Sequence, residues 1–431
     1  MTNRIPLGGQ LDGERFWSDL MDQARIGALQ GGGLRRLTLG DADNRARLWL
    51  MEQGKALGCS AHYDAMGNVF LRREGQDPSL PPLLIGSHLD SQPRAGAYDG
   101  TLGVVAGLAV LRTLSEQQVA HERPVEVVSW TNEEGARFAP GASGSSWFAG
   151  RHDAETILAA QDDDGTTFKE ALTECLALLE THGAEFRPAP VVPYVFLELH
   201  IEQGPVLEEK GAPVCVVTGI QGVHWYEVEV SGQANHAGTT PATSRRDAFM
   251  GAHALINALN EAVASHDDQV RFTIGKFAVS PNSVNTIAQL ARFSIDLRHP
   301  DSAVLEALDS AFHQLAEQEW AGCKVHLEAT SRVDPVAFDS HLISVLDEAV
   351  KIYSPQAPKL VSGAFHDAIH LAHLCPTAML FTPCRAGISH HPDEHIERED
   401  AEVAVRALAH SVEQLLTRQR RRRSRSDLRD S

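Results

Sequence analysis

Three apolar runs of this chain end abruptly in histidine or carboxylate residues, and this repeated pattern constrains the fold most. The runs and the polar residues that follow them are Leu83–Ile85 with His88 and Asp90, Pro124–Trp130 with Glu133 and Glu134, and Val195–Leu199 with His200. Segments with helical spacing separate the runs, and strands that alternate with helices are typical of an α/β fold with a mostly parallel sheet. The carboxyl ends of parallel strands share one edge of the sheet. We therefore predict that these polar side chains meet at one site.

The pattern changes after Val217, because His224–Val230 alternates like an antiparallel strand with one exposed face. The segments that follow are predicted as a helix over 246–264, strands over 271–274 and over 286–290 with 292–297, a helix over 302–320 and a strand over 324–328. This order is that of a smaller, ferredoxin-like α+β domain, which would interrupt the catalytic domain. The predicted boundaries are 1–218 and 332–417 for the two parts of the catalytic domain, 219–331 for the inserted domain and 418–431 for a basic, disordered tail.

Composition excludes several partners. The formal net charge of −19 repels nucleic acid, so the arginine-rich end is interpreted as a solvated tail. No apolar stretch approaches the length of a membrane span. The six cysteines are scattered without a CxxC pair and no signal peptide precedes them, which is typical of reduced thiols in a cytoplasmic protein.

The polar residues near the predicted strand ends could hold divalent metal. The candidates are His88, Asp90, Asp99, Glu133, Glu134, His200 and either His390 or His391. This donor set suits Zn, Mn, Co or Ni, and it is rich enough for two ions that share a carboxylate. Such a centre lowers the pKa of water and polarises a carbonyl group, while a neighbouring carboxylate transfers a proton. Two structural alternatives stay open: a His–Asp pair that caps a turn, and a solvated Glu–Glu turn.

Six motifs occur in an order that resembles one family. They are Gly86-Ser-His-Leu-Asp90, Tyr98-Asp-Gly100, Thr131-Asn-Glu-Glu-Gly-Ala-Arg-Phe138, Glu198-Leu-His-Ile-Glu-Gln-Gly-Pro205, Asn235-His-Ala-Gly-Thr-Thr-Pro241 and Gly387-Ile-Ser-His390. Together, over about residues 10–415, they resemble the amidase/hydantoinase/carbamoylase branch of the dinuclear-metal aminoacylase and carboxypeptidase superfamily. This branch includes N-carbamoyl-L-amino acid hydrolases, β-ureidopropionases of the metal type and allantoate amidohydrolases.

The resemblance implies a role for each residue of the candidate centre. The implied ligands of two divalent ions per subunit are His88, Asp99 as the bridging ligand, Glu134, His200 and His390. Glu133 is implied as the general base, and Asp90 as the residue that orients His88. The family pattern Gly-x-Ser-His-x-Pro has the ligand directly after the serine, which favours His390 over His391.

The resemblance also implies residues for substrate binding. The inserted domain would be a lid that forms a homodimer, in which His236 reaches the active site of the neighbouring subunit to polarise the scissile carbonyl. Asn285 and Arg298 would bind the substrate carboxylate, and Gln203 would contact the substrate. From the residues alone, the interpretation is an ion pair between Arg298 and Asp296 and a turn at Asn285.

The resulting expectation is a cytoplasmic, homodimeric metallohydrolase without nucleic-acid or membrane partners. It would cleave the ureido C–N bond of N-carbamoyl-L-amino acids, or of N-carbamoyl-β-alanine, to amino acid, ammonia and carbon dioxide. The alternatives within the fold are hydrolysis of allantoate or ureidoglycine, and hydrolysis of acylamino acids or dipeptides. A catalytically silent binding protein is disfavoured because every implied ligand and base position is filled. Ala97 and Phe365 occupy positions where relatives usually carry glycine. These differences affect the prediction of the substrate rather than that of the metal ligands.

Overall fold

The computed structural model describes residues 5–427, and it describes side chains as far as residue 417. The helices in this range are α1 (Leu7–Gln10), α2 (Gly13–Arg25), α3 (Asp41–Ala56), α4 (Thr101–Glu116), α5 (Ser143–Phe148), α6 (Ala154–Ala159), α7 (Phe168–Thr181), α8 (Val206–Lys210), α9 (Ala248–Ala264), α10 (Ser302–Ala316), α11 (Ser340–Tyr353), α12 (Ala368–Leu371) and α13 (Arg398–Asp427). Two short 3₁₀ helices cover Ala242–Ser244 and Arg385–Gly387. None of the helices in 5–427 combines the length and the apolar character that a membrane crossing requires.

The strands belong to two sheets. They are β1 (Ser60–Tyr63), β2 (Val69–Arg73), β3 (Leu83–His88), β4 (Val125–Trp130), β5 (Glu185–Phe186), β6 (Val195–Ile201), β7 (Cys215–Ile220), β8 (Gly222–Ser231), β9 (Arg271–Thr273), β10 (Phe277–Ser280), β11 (Leu290–His299), β12 (Lys324–Val333), β13 (Val336–Ala337), β14 (Lys359–Ser362) and β15 (Thr377–Thr382).

The chain forms two compact units. The first comprises Met1–Thr218 and Phe338–Ser431, and the second comprises Gly219–Ala337. The second unit ends at Ala337 rather than at the predicted residue 331. The reason is that β12 continues to Val333 and the short strand β13 then pairs with Gly219 and Ile220.

The first unit is built on a large mixed sheet, and the predicted α/β class is confirmed. Its strands lie in the order β7-β15-β6-β3-β4-β2-β1-β5, and β14 pairs with β7. The four strands β15, β6, β3 and β4 are parallel, while β7 and β2 run antiparallel to their neighbours β15 and β4. Every residue of these four parallel strands is buried, which explains why their sequences are mainly apolar.

The carboxyl ends of the four parallel strands lie at one edge of this sheet. β3 ends at His88, β4 at Trp130, β6 at Ile201 and β15 at Thr382. Helices α4 and α13 pack against the middle of the same sheet and close its core. The loops that leave the four strands therefore start from buried, fixed points.

The second unit has an antiparallel sheet and two helices. Its strands lie in the order β10-β11-β8-β12, and β9 pairs with the other end of β11. Buried and accessible residues alternate along β8 and β11, as predicted for strands that cover a core with one face. Leu255 and Leu259 of α9 and Leu305 and Phe312 of α10 are buried in that core.

One predicted strand of the second unit is wrong. Residues 286–289 form a loop, and Phe277–Ser280 is the strand that pairs with the start of β11. The reason is local, because the N–H of Ile287 donates to the main-chain oxygen of Asn235 at 2.8 Å instead of joining a strand ladder.

The last helix continues into the arginine-rich segment. The sequence predicted disorder from residue 418, whereas the backbone is helical to Asp427. Arginine and glutamine have high helix propensity, and neither glycine nor proline interrupts this segment. Residues 428–431 of the predicted tail, and the side chains from 418 onward, lie outside the described residues.

Candidate metal centre

Two groups of ligand atoms meet at the carboxyl edge of the first sheet and share Asp99. The groups are His88, Asp99 and His200, and Asp99, Glu134 and His390. Within each group the ligand atoms lie within 4.8 Å of one another. The structure thus brings together the five residues that the resemblance implied as ligands. The alternative His391 is exposed, and its Nδ1 lies 3.6 Å from Oδ2 of Asp393.

Asp99 presents one carboxylate oxygen to each group. Its Oδ1 lies 3.0 Å from Nε2 of His200 and 3.6 Å from Nε2 of His88. Its Oδ2 lies 3.3 Å from Nε2 of His390, which is also 3.3 Å from Oε2 of Glu134. A carboxylate that faces two donor groups with two oxygens is arranged as a ligand shared between two cations.

Main-chain carbonyl groups orient the two buried imidazoles. Nδ1 of His88 donates to the main-chain oxygen of Asp90, and Nδ1 of His200 donates to that of Ile201, both at 2.9 Å. A carbonyl oxygen can only accept, so each Nδ1 carries a proton and each Nε2 faces the shared carboxylate. Such a second contact fixes the ring orientation of a metal-binding histidine.

The carboxylate of Asp90 has a different role from the implied one. Its Oδ1 lies 3.8 Å from Nδ1 of His88, which is too far for a hydrogen bond. Instead, its two oxygens accept the N–H groups of Glu133 and Glu134, each at 3.2 Å. Asp90 therefore orients His88 through its main-chain oxygen, and its side chain holds the turn with the two glutamates.

The two glutamates of this turn point to different groups. Oε2 of Glu133 lies 3.5 Å from Nε2 of His88, whereas Oε2 of Glu134 accepts from Nε2 of Gln92 at 2.7 Å and faces His390. Oε1 of Glu134 is buried and has no hydrogen-bond partner among the described residues. A buried oxygen without a partner is costly, and a cation would satisfy it.

Gly100 joins the shared ligand to helix α4. Its φ is +63°, and a Cβ at this position would lie 2.3 Å from Cε1 and 2.4 Å from Nδ1 of His88. A glycine is thus required both by the backbone conformation and by the imidazole. It allows α4 to start directly beside the end of β3.

Burial of several carboxylates together raises their pKa values. Burial is the largest cause, and it raises the pKa of Asp90 to about 7 and, with the charge of Asp99, that of Glu134 to about 8. Burial and the charge of Asp367 raise the pKa of Glu133 well above its ordinary value. Concentrated negative charge of this kind favours a bound cation.

The imidazoles respond to the same charge in two ways. Burial lowers the pKa of His200, but the hydrogen bond and charge of Asp99 outweigh burial and raise it to about 9. The hydrogen bond that His390 donates to Asp99 likewise raises the pKa of His390 to about 9, whereas burial lowers that of His88 to about 4. The three imidazoles and the two carboxylates of Asp99 and Glu134, including the unpartnered Oε1 of Glu134, form a donor set that fits divalent cations.

Glu198 lies behind His200 and was not assigned from the sequence. Its oxygens accept from Oγ of Ser87 at 2.7 Å and from the N–H of Ala368 at 3.2 Å. Glu198, His200 and His366 also have ligand atoms within 4.8 Å of one another. Glu198 thereby joins β6 to Ser87 of β3 and to the start of α12 beside His200. The two-residue spacing on β6 could have indicated it.

Gln203 contacts the shared ligand. Its Nε2 lies 2.9 Å from Oδ2 of Asp99 and 3.1 Å from Oγ of Ser389. Its implied contact with the substrate stays a prediction. Ser389 and Glu394, whose Oγ and Oε2 are 3.1 Å apart, were missed because neither follows an apolar run or a periodic pattern.

In the second unit, the loops of His236 and Asn285 lie side by side, because a single bridge joins His236 to Thr286. Nδ1 of His236 accepts the N–H groups of Gly238 and Thr239 at 3.1 and 3.2 Å. The ring therefore carries its proton on Nε2. His236 and Asn285 are both exposed.

Arg298 is paired with Asp296 in the second unit. Its Nε and Nη2 donate to Oδ1 and Oδ2 of Asp296, both at 2.8 Å, and Nε1 of Trp225 donates to Oδ2 at 3.1 Å. This is the ion pair that the residues alone indicated. Contact of Arg298 with a substrate carboxylate stays a prediction.

Comparison with known proteins extends over nearly the whole chain. The sequence model of peptidase family M20/M25/M40 matches residues 84–414, a range that contains the five candidate ligands. An N-carbamoyl-L-amino-acid amidohydrolase of Rhizobium meliloti is 36% identical over 407 residues, which are 94% of this chain and 96% of the relative. An allantoate amidohydrolase of Bacillus subtilis (strain 168) is 33% identical over 393 residues, which are 89% of this chain and 93% of the relative.

The fold is also similar to that of a solved structure. A crystal structure of an amidase of the hydantoinase/carbamoylase family from Burkholderia multivorans superposes with a TM-score of 0.88. Its sequence is 40% identical, and the alignment covers 95% of this chain and 98% of that chain.

Proposed function

The chain belongs to peptidase family M20/M25/M40 and, within it, to the hydantoinase/carbamoylase amidases, and we propose that it hydrolyses the ureido C–N bond of N-carbamoyl-L-amino acids. The reaction consumes one water and releases the amino acid, ammonia and carbon dioxide. The observation that carries the proposal is an Asp99 shared by two ligand groups, with Glu133 beside one of them. N-carbamoyl-β-alanine is the alternative substrate of the same chemical class.

Two divalent cations, Zn, Mn, Co or Ni, complete the proposed centre. His88 and His200 would hold one, Glu134 and His390 the other, and Asp99 would contact both. A bound divalent cation lowers the pKa of water and neutralises negative charge on a carbonyl oxygen. The unpartnered Oε1 of Glu134 supports this assignment.

Glu133 is the proposed general base and acid. It is buried beside His88 and is not needed to complete either ligand group. Its carboxylate would take a proton from the attacking water and deliver it to the leaving nitrogen.

The second unit has the proposed role of a lid and dimerisation domain. In a homodimer, His236 would donate its Nε2–H to the scissile carbonyl oxygen of a substrate bound to the other subunit. Asn285 and Arg298 would bind the carboxylate of the substrate, with Asp296 holding the guanidinium in place. Gln203 would contact the substrate from the first unit.

The test is ammonia release by protein that is stripped of metal and reloaded with Mn, Co, Ni or Zn. The substrates are N-carbamoyl-L-amino acids, N-carbamoyl-β-alanine and allantoate. We expect metal-dependent turnover of a carbamoyl substrate, and a decrease in kcat of about 10²–10⁴-fold for Glu133→Gln, because general acid–base catalysis contributes about that factor. Glu155→Gln, at an exposed position of α6, is the matched control and should retain full activity.

Three results would contradict parts of the proposal. Turnover of allantoate alone would overturn the substrate and keep the site. Full activity of Glu133→Gln would overturn the role of that residue. Absence of ammonia from all three substrate classes, with metal bound, would overturn the ureido reaction and make acylamino acids and dipeptides the next substrates to assay.

A further inference from the structure

Glu394 is a buried carboxylate outside the ligand set that contacts both halves of the candidate metal centre. Its Oε1 accepts the N–H groups of Tyr98 and Asp99, at 3.0 and 3.1 Å. Its Oε2 lies 3.1 Å from Oγ of Ser389, the residue directly before His390. The side chain is 5% exposed, so it holds this position away from competing water.

The loop of Asp99 depends on an acceptor from elsewhere in the chain. Helix α4 starts at Thr101, its N-cap Gly100 offers no side chain, and its first turn contains no acidic residue. A negative charge just ahead of a helix start is favourable, and free N–H groups there need acceptors. Glu394 supplies a negative charge and an acceptor oxygen to the residues that precede α4, although it lies 295 residues after Asp99 in the sequence.

The loop of His390 is attached to the same carboxylate. The N–H of Glu394 donates to the main-chain oxygen of His391 at 3.0 Å, which closes a turn directly after His390. Oγ of Ser389 lies 3.0 Å from Oδ2 of Asp99 as well as near Glu394. The backbone of His390 has φ +55°, a conformation that a non-glycine residue keeps only where its surroundings hold it.

The two ligand groups differ in how much they need this support. The side chains of His88 and His200 are 2% and 1% exposed, lie at the ends of buried strands and are oriented by main-chain oxygens. The side chain of His390 is 49% exposed and lies on a loop. The distance between His390 and Asp99 is therefore set by loop contacts, of which those of Glu394 and Ser389 are the direct ones.

The side chain of Glu394 packs directly against the backbone of Gly96, where no other side chain would fit. A Cβ at Gly96 would lie 2.3 Å from Cβ, Cδ and Oε1 of Glu394. An alanine at position 96 would therefore displace the carboxylate without changing its charge. This offers a second way to disturb the same contact.

We propose that Glu394 is a positioning residue that sets the distance between Asp99 and His390, and that it thereby controls the affinity of one of two cation sites. The inference rests on the proposed two-cation centre. The site of Asp99, Glu134 and His390 depends on Glu394 more strongly than the site of His88, Asp99 and His200, because Glu394 contacts the loops of both Asp99 and His390 in the first site and only the loop of Asp99 in the second.

The test is calorimetric titration of metal-free protein with Zn or Mn, with His390→Ala used to identify the binding step of the dependent site. We expect Glu394→Ala and Gly96→Ala to weaken that step by about 10–100-fold, the usual effect of removing a residue that supports a ligand. The other step should weaken less, because Glu394 contacts only the Asp99 loop of that site. Glu394→Gln should recover part of the loss, because its amide oxygen still accepts from the two N–H groups. Asp393→Asn, an exposed neighbour, is the matched control.

A single binding step in the unsubstituted protein, unchanged affinities in Glu394→Ala, or equal weakening of both steps would each overturn the inference. Circular dichroism and the unfolding temperature show whether Glu394→Ala folds. If it does not, Glu394→Gln and Gly96→Ala decide the result by the same criteria. Activity separates this inference from the proposed function. Ammonia release without a selective loss of affinity overturns the inference alone, and a selective loss without ammonia release overturns the proposed function alone.

Discussion

At the candidate centre, the main chain and the side chain of Asp90 make different contacts. Its main-chain oxygen orients His88, and its carboxylate holds the turn of Glu133 and Glu134. A substitution that changes only the side chain therefore separates the two roles. The turn of Glu133 and Glu134 is bonded to the carboxylate, and the imidazole of His88 is bonded to the main-chain oxygen.

For Asp90→Asn we expect kcat to fall by about 10–100-fold, because an amide offers one acceptor oxygen where the carboxylate offers two and misplacement of a catalytic group costs about that much. Cation binding by the group of His88, Asp99 and His200 should change by less than about 3-fold, since the main-chain contact to His88 remains. Activity assays and metal titration measure the two effects. A larger loss of affinity in that group than of kcat would show that the carboxylate orients His88 after all.

Residues of the candidate site differ in how far the sequence reveals them. His88 and His200 end apolar runs, and the Glu133–Glu134 turn follows one, so the fold class alone places them at one edge. Glu394 is different, because its proposed role depends on contacts with N–H groups that lie 295 and 296 residues away in the sequence. Spacing along a strand or helix carries no information about such a contact.

At the scale of elements, the junction of β3, Gly100 and α4 combines a strand end, a ligand and a helix start within a few residues. Gly100 has a positive φ and lies against the ring of His88. Two costs are therefore expected for a side chain at this position. One is the cost of the backbone conformation, and the other is a clash with the imidazole.

We expect Gly100→Ala to lower the free energy of unfolding by more than Gly211→Ala, with about 1–2 kcal/mol of backbone cost common to both. Gly211 has φ +59°, and a Cβ there meets no atom within 4 Å, so it is a matched control without the clash. Chemical denaturation of the metal-free proteins measures the difference. Equal losses for the two variants would mean that the ring of His88 moves aside without cost.

Elements were predicted best where burial is complete. The strands β3, β4 and β6 are buried at every residue, and short, mainly apolar runs rich in β-branched and aliphatic residues identified them. The segment 286–290 has the composition of a strand, but the N–H of Ile287 bonds to Asn235 in a neighbouring loop, and only Leu290 joins β11. Local composition does not distinguish those two partners, because both satisfy the backbone equally.

At the scale of the whole molecule, the metal-free protein should lose stability as the pH rises from about 7 to 9. Folding raises the pKa of Glu134 to about 8 and those of His200 and His390 to about 9. A group with a raised pKa contributes its full stabilisation below its unfolded pKa and loses it as the pH rises through the folded one. The unfolded values lie lower, so all three contributions decline in this window.

Cations should reverse this trend, because metal binding requires deprotonated ligands and stabilises only the folded state. We therefore expect the difference in unfolding temperature between metal-loaded and metal-free protein to grow with pH. Calorimetric scans between pH 6 and 9, with and without Zn or Mn, measure it. A difference that stays constant over this range would contradict the assignment of these groups to a cation site.

The first unit is assembled from two separated segments of the chain, and this determines when its centre can form during translation. β15 and His390 follow the second unit in sequence, yet β15 lies between β6 and β7 in the sheet. A nascent chain that has left the ribosome as far as Ala337 contains four of the five candidate ligands. It also contains β6 and β7, but not β15, which lies between them in the finished sheet. We therefore expect metal uptake to be a late event in biosynthesis, and a prematurely terminated chain to display candidate cation ligands on an unfinished sheet.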